Sequence, residues 1–375
     1  MSNKHIIIVG GGIIGASCAY FLSQQDGYTI TLLEQTDIAC AASGKAGGFL
    51  ALDWNDDHPG MKALSRASYK LHEELAKQLD GEKAYGYRKM QTYSVVFDTS
   101  LSKKRRKTTA SASSNVTWIN RDYVRSAEKI GDTTTTAQVM PPQMTKKLIE
   151  EAKKSGRVEV RVRTGVKQLL FENDLVVGVE IEGTGENLHG DKVIICMGPW
   201  SGLLPLPNQE RIPIRASHVH SIVLKPKDVI PGDALFTTII EDDSTAEPET
   251  YPRPDGTVYL CGASDNEPLT KNASEVHVAD TAIETLQRQA TIISSQLAKM
   301  PLIQGQACYL PISEKTQMPL IGPHPRFQQL ILATGHSFWG ILNAPITGKA
   351  ISELLTKGKI ECLDEKVMEY FRPTI

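Results

Sequence analysis

The chain has 375 residues, of which 41% are hydrophobic and 22% are charged. This is ordinary globular material with enough apolar residues for a large core, and the length favours two domains. A net charge of -2 at pH 7 argues against nucleic acid as a partner. The six cysteines show no C-x-x-C spacing, so the sequence supports neither a structural zinc site nor a disulfide framework.

The first predicted element is a strand that runs directly into a glycine-rich turn. The stretch IIIVGGGIIG places Gly10, Gly12 and Gly15 after the strand and starts a helix near Ile13. Glycines at such a turn let backbone N–H groups and the positive end of the helix approach a pyrophosphate. A second apolar run ends at Glu34, whose carboxylate suits ribose hydroxyls. The pattern predicts a dinucleotide site, whereas a turn used only for close packing would not explain the carboxylate.

The uncharged stretch from His5 to Gln25 resembles a membrane span, but three consecutive glycines argue against a stable helix there. We therefore expect a cytoplasmic protein without stable membrane insertion. The C-terminal Pro373–Ile375 is not a peroxisomal signal. The basic run Lys103–Lys107 could act in nuclear import, although a solvated hairpin tip is the favoured interpretation.

Downstream, periodicity and turn residues predict the remaining elements of a nucleotide-binding fold. An amphipathic helix is predicted over 141–154, and short strands split by Glu172–Asp174 over 157–182. Two buried strands follow over 192–196 and 330–334, and a final helix over 345–355.

Two insertions rich in β-branched and aromatic residues, 86–136 and 209–304, look like strands of a second domain. The fold class predicted is α/β: a discontinuous Rossmann-like domain over 1–85, 137–208 and 305–375, with an inserted antiparallel-sheet domain of α+β character.

Motifs at both ends of the chain resemble the FAD-dependent D-amino acid oxidase superfamily, most closely glycine oxidase and sarcosine oxidase. They are GGGIIG with Glu34, AASGKAGGFL from Ala41, VIICMGPWS from Val193, PRPDGTVYLCGAS from Pro252 and GHSFWGILNAPITGKAISELL from Gly335. The resemblance implies FAD as cofactor, an inserted domain that contacts substrate, and a small-molecule substrate.

The resemblance also assigns cofactor-binding roles along the chain. Gly10, Gly12, Ile13, Ile14 and Gly15 would hold the pyrophosphate, and Glu34 with Gln35 the adenosine side. The flavin loop would comprise Ala42, Ser43, Gly47, Gly48 and Phe49; Val166 would pair with adenine, and Gly198 and Trp200 would lie beneath the nucleotide. The flavin's pyrimidine edge would meet the loop of Gly335, His336, Gly340, Ile341 and Leu342.

The helix after that loop is predicted to begin near Asn343 or Ala344, with Pro345 in its first turn. Hydride arriving at flavin N5 leaves negative charge near N1, and the N-terminus of a helix would stabilise that charge. Cys308 lies near the position where sarcosine oxidase-like relatives attach flavin covalently, but its surroundings differ. We therefore expect noncovalent FAD.

Substrate recognition departs from the family pattern. Leu310 and Phe338 stand where the resemblance leads us to expect arginines that grip a substrate carboxylate. Other candidates for the substrate pocket are Trp339, Tyr309, Arg253 and His220. A purely structural role is also open for these residues. Arg253 and Arg215 would then form ion pairs at the surface or between domains, and the aromatic residues would pack in the core.

His218 and His220 alternate along a predicted strand and would share one face. The sequence offers no third ligand at a suitable spacing, so no metal site is predicted. Two functions remain open: an FAD-dependent oxidoreductase acting on a C–N bond of an amine or modified amino compound, or an FAD-binding protein with a structural, regulatory or trafficking role. The strand Val258–Gly262 lacks the lysine that activates oxygen in sarcosine oxidase-like relatives, so the electron acceptor stays open.

Overall fold

The structure, a computed structural model, describes residues 3–100, 116–241 and 244–375. The basic run Lys103–Lys107 lies outside the described residues. Among the residues that are described, no helix combines the length and apolar character that a bilayer span requires.

The strands of the described residues are, in chain order, β1 (Lys4–Val9), β2 (Tyr28–Leu33), β3 (Phe49–Ala51), β4 (Arg88–Lys89), β5 (Thr92–Asp98), β6 (Val124–Gly131), β7 (Thr136–Gln138), β8 (Val158–Arg161), β9 (Val166–Glu172), β10 (Leu175–Ile181), β11 (Asn187–His189), β12 (Lys192–Ile195), β13 (Ile214–Leu224), β14 (Ala234–Glu241), β15 (Ser244–Ala246), β16 (Glu249–Pro252), β17 (Val258–Asp265), β18 (Leu302–Ser313), β19 (Leu320–Pro323) and β20 (Leu330–Thr334).

The α-helices of the described residues are α1 (Ile13–Ser23), α2 (Ala42–Lys45), α3 (Pro59–Gln78), α4 (Gly81–Tyr85), α5 (Pro141–Lys153), α6 (Asp280–Ile293), α7 (Gly340–Lys357) and α8 (Glu365–Glu369). The predicted helix from Pro141 and the predicted strands at 157–182, 192–196 and 330–334 are confirmed to within a few residues.

A six-stranded sheet in the order β19-β20-β12-β1-β2-β8 forms the centre of the nucleotide-binding half. Its pairs are parallel except β19 with β20. Successive side chains of β1 point to opposite faces. Ile6 and Ile8 therefore join a core with α1, α3, α5 and α7, whereas Ile7 and Val9 join a second core with β9 and β10. The predicted α/β class with a Rossmann-like domain is confirmed.

A second, eight-stranded sheet has the order β18-β13-β17-β16-β14-β5-β6, with β15 paired to β14. One pair, β14 with β5, is parallel, so the sheet is mixed rather than purely antiparallel. Strand β18 pairs with β13 from Leu302 onward. The predicted domain boundary between residues 304 and 305 therefore falls inside a strand of this sheet.

Helix α7 begins at Gly340, earlier than the predicted start near Asn343, and Pro345 lies inside it. A proline inside a helix leaves the carbonyl four residues before it without its usual donor. Here Nε2 of His72, from α3, lies 3.1 Å from the Ile341 carbonyl oxygen and 3.0 Å from that of Leu342. This tertiary contact supplies the missing donor, which is why the helix continues through the proline.

Candidate functional site

The site is a cavity of about 910 Å³ at the edge of the six-stranded sheet where its parallel strands end. Residues directly after β1, β2, β12 and β20 all line it, because the carboxyl ends of parallel strands meet at one edge. The predicted cofactor residues in its wall are Gly10, Gly12, Ile13, Ile14, Glu34, Gln35, Ala42, Ser43, Gly47, Gly48, Phe49, Val166, Gly198, Trp200, Gly335, His336, Gly340 and Ile341.

The turn after β1 needs its glycines for close approach of backbone. A Cβ on Gly15 would lie 2.0 Å from the Gly10 carbonyl oxygen, and Gly10 itself has a φ of +114°. Gly12 caps α1 without any side-chain acceptor, and the first turn of α1 contains no acidic residue. The Ile13 N–H donates to Oγ of Ser43 at 2.9 Å. The N-terminus of α1 therefore presents positive backbone dipole to the cavity, as an anion site requires.

Glu34 is held at the cavity edge by backbone donors. Its Oε2 accepts the Gly11 N–H at 2.7 Å, and its Oε1 accepts the Thr36 N–H at 2.8 Å. These bonds fix the carboxylate beside the glycine turn.

The predicted flavin loop is shaped by contacts that tolerate only glycine. Gly48 has a φ of +81°, and a Cβ there would lie 2.0 Å from the Val139 carbonyl oxygen. A Cβ on Gly47 would meet the Tyr251 ring at 2.5 Å. Gly198, which also lines the cavity, has a φ of +54° with open space where its Cβ would be. Small residues thus leave room for a bound group close to the backbone.

The loop before α7 contains a buried histidine. Nε2 of His336 lies 3.1 Å from Oγ1 of Thr347, which itself donates to the Asn343 carbonyl, so the imidazole donates. Burial lowers the pKa of His336 to about 3, which keeps the ring neutral at physiological pH. Helix α7 has no side-chain cap, and Gly340 and Ile341 line the cavity. Its N-terminus therefore faces the cavity, one turn earlier than predicted.

Two predicted cofactor residues are not part of the wall. Gly15 packs its backbone against the Gly10 carbonyl beneath the turn. The Leu342 carbonyl accepts a hydrogen bond from the Ser68 hydroxyl at 2.6 Å, on the side facing α3. Both positions support the fold next to the cavity.

Of the predicted substrate-pocket residues, Leu310, Phe338 and Trp339 line the cavity, and the Phe338 side chain is 72% exposed. Tyr309 and His220 do not line it, because strand alternation turns them to the opposite face of β18 and β13. The Tyr309 hydroxyl donates to the Pro268 carbonyl, and Nε2 of His220 accepts the Ala279 N–H at 3.1 Å.

Arg253 also lies behind the wall. Its Nη2 donates to the Ala46 carbonyl at 3.0 Å, and its guanidinium lies 4.6 Å from the centre of the Tyr259 ring. Arg215 is exposed on β13. Within the described residues, no arginine lines the cavity. Of the lysines that do, Lys167 is ion-paired with Glu180 at 2.7 Å and Lys271 is exposed.

An aromatic wall that combines residues of both predicted domains was not predicted, although Phe49 was named in the flavin loop. The ring of Phe49 lies 4.9 Å from Trp54, 5.0 Å from Phe236 and 5.7 Å from Tyr251, and Tyr251 stacks 6.0 Å from Tyr259. All five residues line the cavity. Tyr251 and Tyr259 flank the PRPDG turn and could have been suspected, but no local pattern connects Trp54 or Phe236 to them.

The same wall carries one half-buried carboxyl group. Glu249 lines the cavity and accepts hydrogen bonds from the Tyr251 hydroxyl and, at 3.8 Å, from Sγ of Cys261. Burial raises the pKa of Glu249, and the bonds from these two side chains lower it in part. This part of the cavity wall therefore combines aromatic faces with an acid.

Cys308 lines the cavity, next to Leu310, on β18. Burial raises the pKa of its thiol to about 11, and the charge of Lys45 opposes this shift. A thiol with such a pKa is a poor nucleophile at neutral pH because little thiolate is present.

These features define a dinucleotide-binding protein, and comparison with known proteins gives the family. The profile of the FAD-dependent oxidoreductase family, DAO, matches residues 5–354. A Schizosaccharomyces pombe protein that is named as an oxidoreductase, C1F5.03c, is 35% identical over 381 residues, with 96% of each chain covered. The glycine oxidase of Pseudomonas aeruginosa is 26% identical and covers 94% of this chain and 95% of its own. The chain belongs to the FAD-dependent oxidoreductase family, and its cofactor is FAD; both predictions are confirmed.

Solved structures agree on the fold. The glycine oxidase of Bacillus cereus superposes with a TM-score of 0.77 at 24% identity, over 96% of this chain and 98% of its own. The iminodiacetate oxidase of Chelativorans sp. BNC1 gives 0.75 at 17% identity, over 98% and 99%. At these identities the similarity establishes the fold alone.

The wall fits FAD by its own chemistry. The N-terminus of α1 would meet the pyrophosphate, and the fixed carboxylate of Glu34 would accept from ribose hydroxyls. The open space beside Gly198 would lie beneath the nucleotide, and the N-terminus of α7 would receive the flavin end.

Proposed function

We propose that this chain oxidises the C–N bond of an amine, or of a modified amino compound, that lacks a free α-carboxylate. The observation that carries the proposal is the composition of the cavity wall: Glu249 lines the cavity together with aromatic residues such as Phe236, Tyr251 and Tyr259, and no arginine among the described residues lines it. The family membership supports the redox chemistry, and this wall supports the substrate class.

Electrostatics argues against a simple amino acid as substrate. Burying a carboxylate without a positive partner costs several kcal/mol, enough to abolish useful binding at millimolar concentration. A second negative charge at Glu249 would add repulsion if that group were ionised. An amine with apolar or aromatic substituents instead packs against Phe236 and Tyr251, and its N–H groups find an acceptor in Glu249.

The chain's own residues would position the substrate and stabilise the charge that develops. The aromatic wall would hold the carbon of the C–N bond in a fixed orientation, which lowers the entropic part of the barrier. The N-terminus of α7 offers backbone donors to negative charge at the flavin end of the cavity. Bound FAD supplies the hydride acceptor. Loss of hydride from carbon and of a proton from nitrogen converts the C–N bond to C=N.

The test is anaerobic reduction of the bound flavin by matched pairs of compounds that differ only in the carboxylate. Phenylalanine against phenylethylamine and glycine against glycinamide are suitable pairs, and sarcosine and D-alanine extend the panel. We expect bleaching by members that lack the carboxylate and negligible bleaching by glycine, sarcosine and D-alanine.

The variant Glu249→Gln keeps the shape and hydrogen-bonding capacity of the side chain but removes the acid. It should weaken reduction by amines while leaving the FAD content unchanged. Rapid reduction by the free amino acids would contradict the proposal and point to Lys271, the exposed lysine of the cavity wall, as an anchor. A flavin that no amine bleaches would favour an FAD-binding protein with a structural, regulatory or trafficking role.

A further inference from the structure

The opposite face of the substrate-facing sheet carries a cluster of two histidines and one aspartate. His218 and His220 lie on β13 and point away from the cavity, whereas Ser217 and Val219 between them line it. Asp265 is the register partner of His218 on the neighbouring strand β17. Both histidines are 1% exposed. The sequence suggested the histidine pair, and only the pairing of β13 with β17 supplies the third residue.

The three side chains converge on one point. Nδ1 of His218 lies 2.6 Å from Oδ1 of Asp265, and Nε2 of His220 lies 3.7 Å from its Oδ2. One potential ligand atom from each of the three residues lies within 4.8 Å of the other two. Such a spacing can close around a metal ion with small side-chain movements, since Zn–N and Zn–O bonds are about 2.0–2.2 Å long.

The hydrogen bonds at the cluster already use one nitrogen of each ring. Nε2 of His220 accepts the Ala279 N–H, and Nδ1 of His218 donates to Oδ1 of Asp265. A metal ion at this point would replace the proton on Nδ1 of His218 and the Ala279 N–H at Nε2 of His220. The other two nitrogens, Nε2 of His218 and Nδ1 of His220, are buried without a hydrogen-bond partner, which is unfavourable for two neutral imidazoles.

A cation would take the place of these donors between the two imidazoles and the carboxylate, and the ligand set indicates its class. Two imidazoles and one carboxylate suit zinc-class transition metals, whereas calcium and magnesium prefer oxygen ligands throughout. Metal-binding histidines must be neutral. A water molecule would complete four-fold coordination.

We propose that His218, His220 and Asp265 bind one zinc-class divalent metal ion on the face of β13 that is opposite the cavity. The ion would join β13 to β17 directly behind Ser217 and Val219. Its role would be to fix this part of the cavity wall, and it is independent of which substrate the cavity accepts.

The test is zinc binding by the FAD-loaded protein, prepared without a polyhistidine tag and stripped with a chelator. Isothermal titration with Zn²⁺ should give one equivalent for the wild type. His218→Gln and Asp265→Asn should each weaken this binding by at least about tenfold, as expected when a metal site loses a supporting group. The matched control His189→Gln removes an exposed histidine on β11 and should bind zinc as the wild type does.

X-ray absorption of the zinc complex should show nitrogen and oxygen ligands, including two imidazoles. An unchanged flavin spectrum checks that each variant is folded, and Asp265→Asn, at a side chain 37% exposed, keeps the test valid if His218→Gln fails to fold. Absence of a stoichiometric wild-type site, equal binding by folded Asp265→Asn, or sulfur ligation would overturn the proposal.

Discussion

Replacing His72 by glutamine should remove a defined part of the acid sensitivity of this protein. His72 is fully buried on α3 against α7, and its Nε2 donates to the Ile341 carbonyl, which Pro345 leaves without a helical donor, and to the neighbouring Leu342 carbonyl. Burial lowers its pKa from 6.5 to about 4, an effect that the two backbone hydrogen bonds oppose. A glutamine amide keeps a donor at this position but does not titrate.

The direction of the change in stability with pH follows from proton uptake by the unfolded chain. Between pH 6.5 and about 4 the unfolded chain protonates this histidine and the folded chain does not, so stability falls as the pH decreases. Each pH unit in that window costs about 1.4 kcal/mol. Going from pH 7 to pH 5 should therefore remove about 2 kcal/mol from the free energy of unfolding through His72 alone. Above pH 7 this histidine makes no pH-dependent contribution.

The assay is urea unfolding of wild type and His72→Gln at pH 7 and pH 5, with FAD at one fixed excess. Other buried histidines, such as His336, are common to both proteins and cancel in the difference. The loss of stability between the two pH values should be about 2 kcal/mol smaller in the variant.

The control is His189→Gln, at an exposed histidine, which should keep the wild-type pH dependence. If His72→Gln loses as much stability between pH 7 and pH 5 as the wild type, then His72 is not buried as a neutral donor and the explanation of the proline-containing helix is wrong.

Further predictions concern the cofactor. Gly12→Val should abolish bound FAD, because a Cβ there already lies 3.0 Å from Oγ of Ser43 and the methyl groups would enter the cavity. Stoichiometric flavin absorbance in this variant would contradict the proposed site. Cys308→Ser should not change FAD content, and acid precipitation should release all flavin from both proteins, since the thiol has a pKa of about 11; a yellow wild-type pellet would instead indicate a covalent bond. Sulfite, whose flavin adduct carries charge near N1, should react readily because the N-terminus of α7 faces the cavity; spectra unchanged at high sulfite would argue against that placement.

The features that the sequence predicted well are local in the chain. The glycine turn, Glu34 and the helix from Ile13 follow from backbone requirements within a few dozen residues, so their pattern is readable without the fold. The strands around Leu330 and Lys192 were equally clear because buried parallel strands are continuous apolar runs.

The start of α7 shows where a local rule was overridden. Proline favours the first turn of a helix, which placed the start near Asn343. In the fold, His72 and Ser68 reach from α3, more than two hundred residues earlier, and satisfy the carbonyls around Pro345. No pattern in the sequence around Pro345 predicts that donor.

The sequence by itself determined the family and the cofactor through the motifs that it shares with the FAD-dependent D-amino acid oxidase superfamily, and it predicted the glycine turn because such a turn depends on short-range backbone geometry. Only the tertiary structure decided which side chains face the cavity and which lie behind it. Strand pairing turned Tyr309 and His220 away, brought Glu249 beside the aromatic wall, and set Asp265 opposite His218. Side chains alternate along a strand in the same way whichever face lines the site, and only packing against neighbouring elements determines that face.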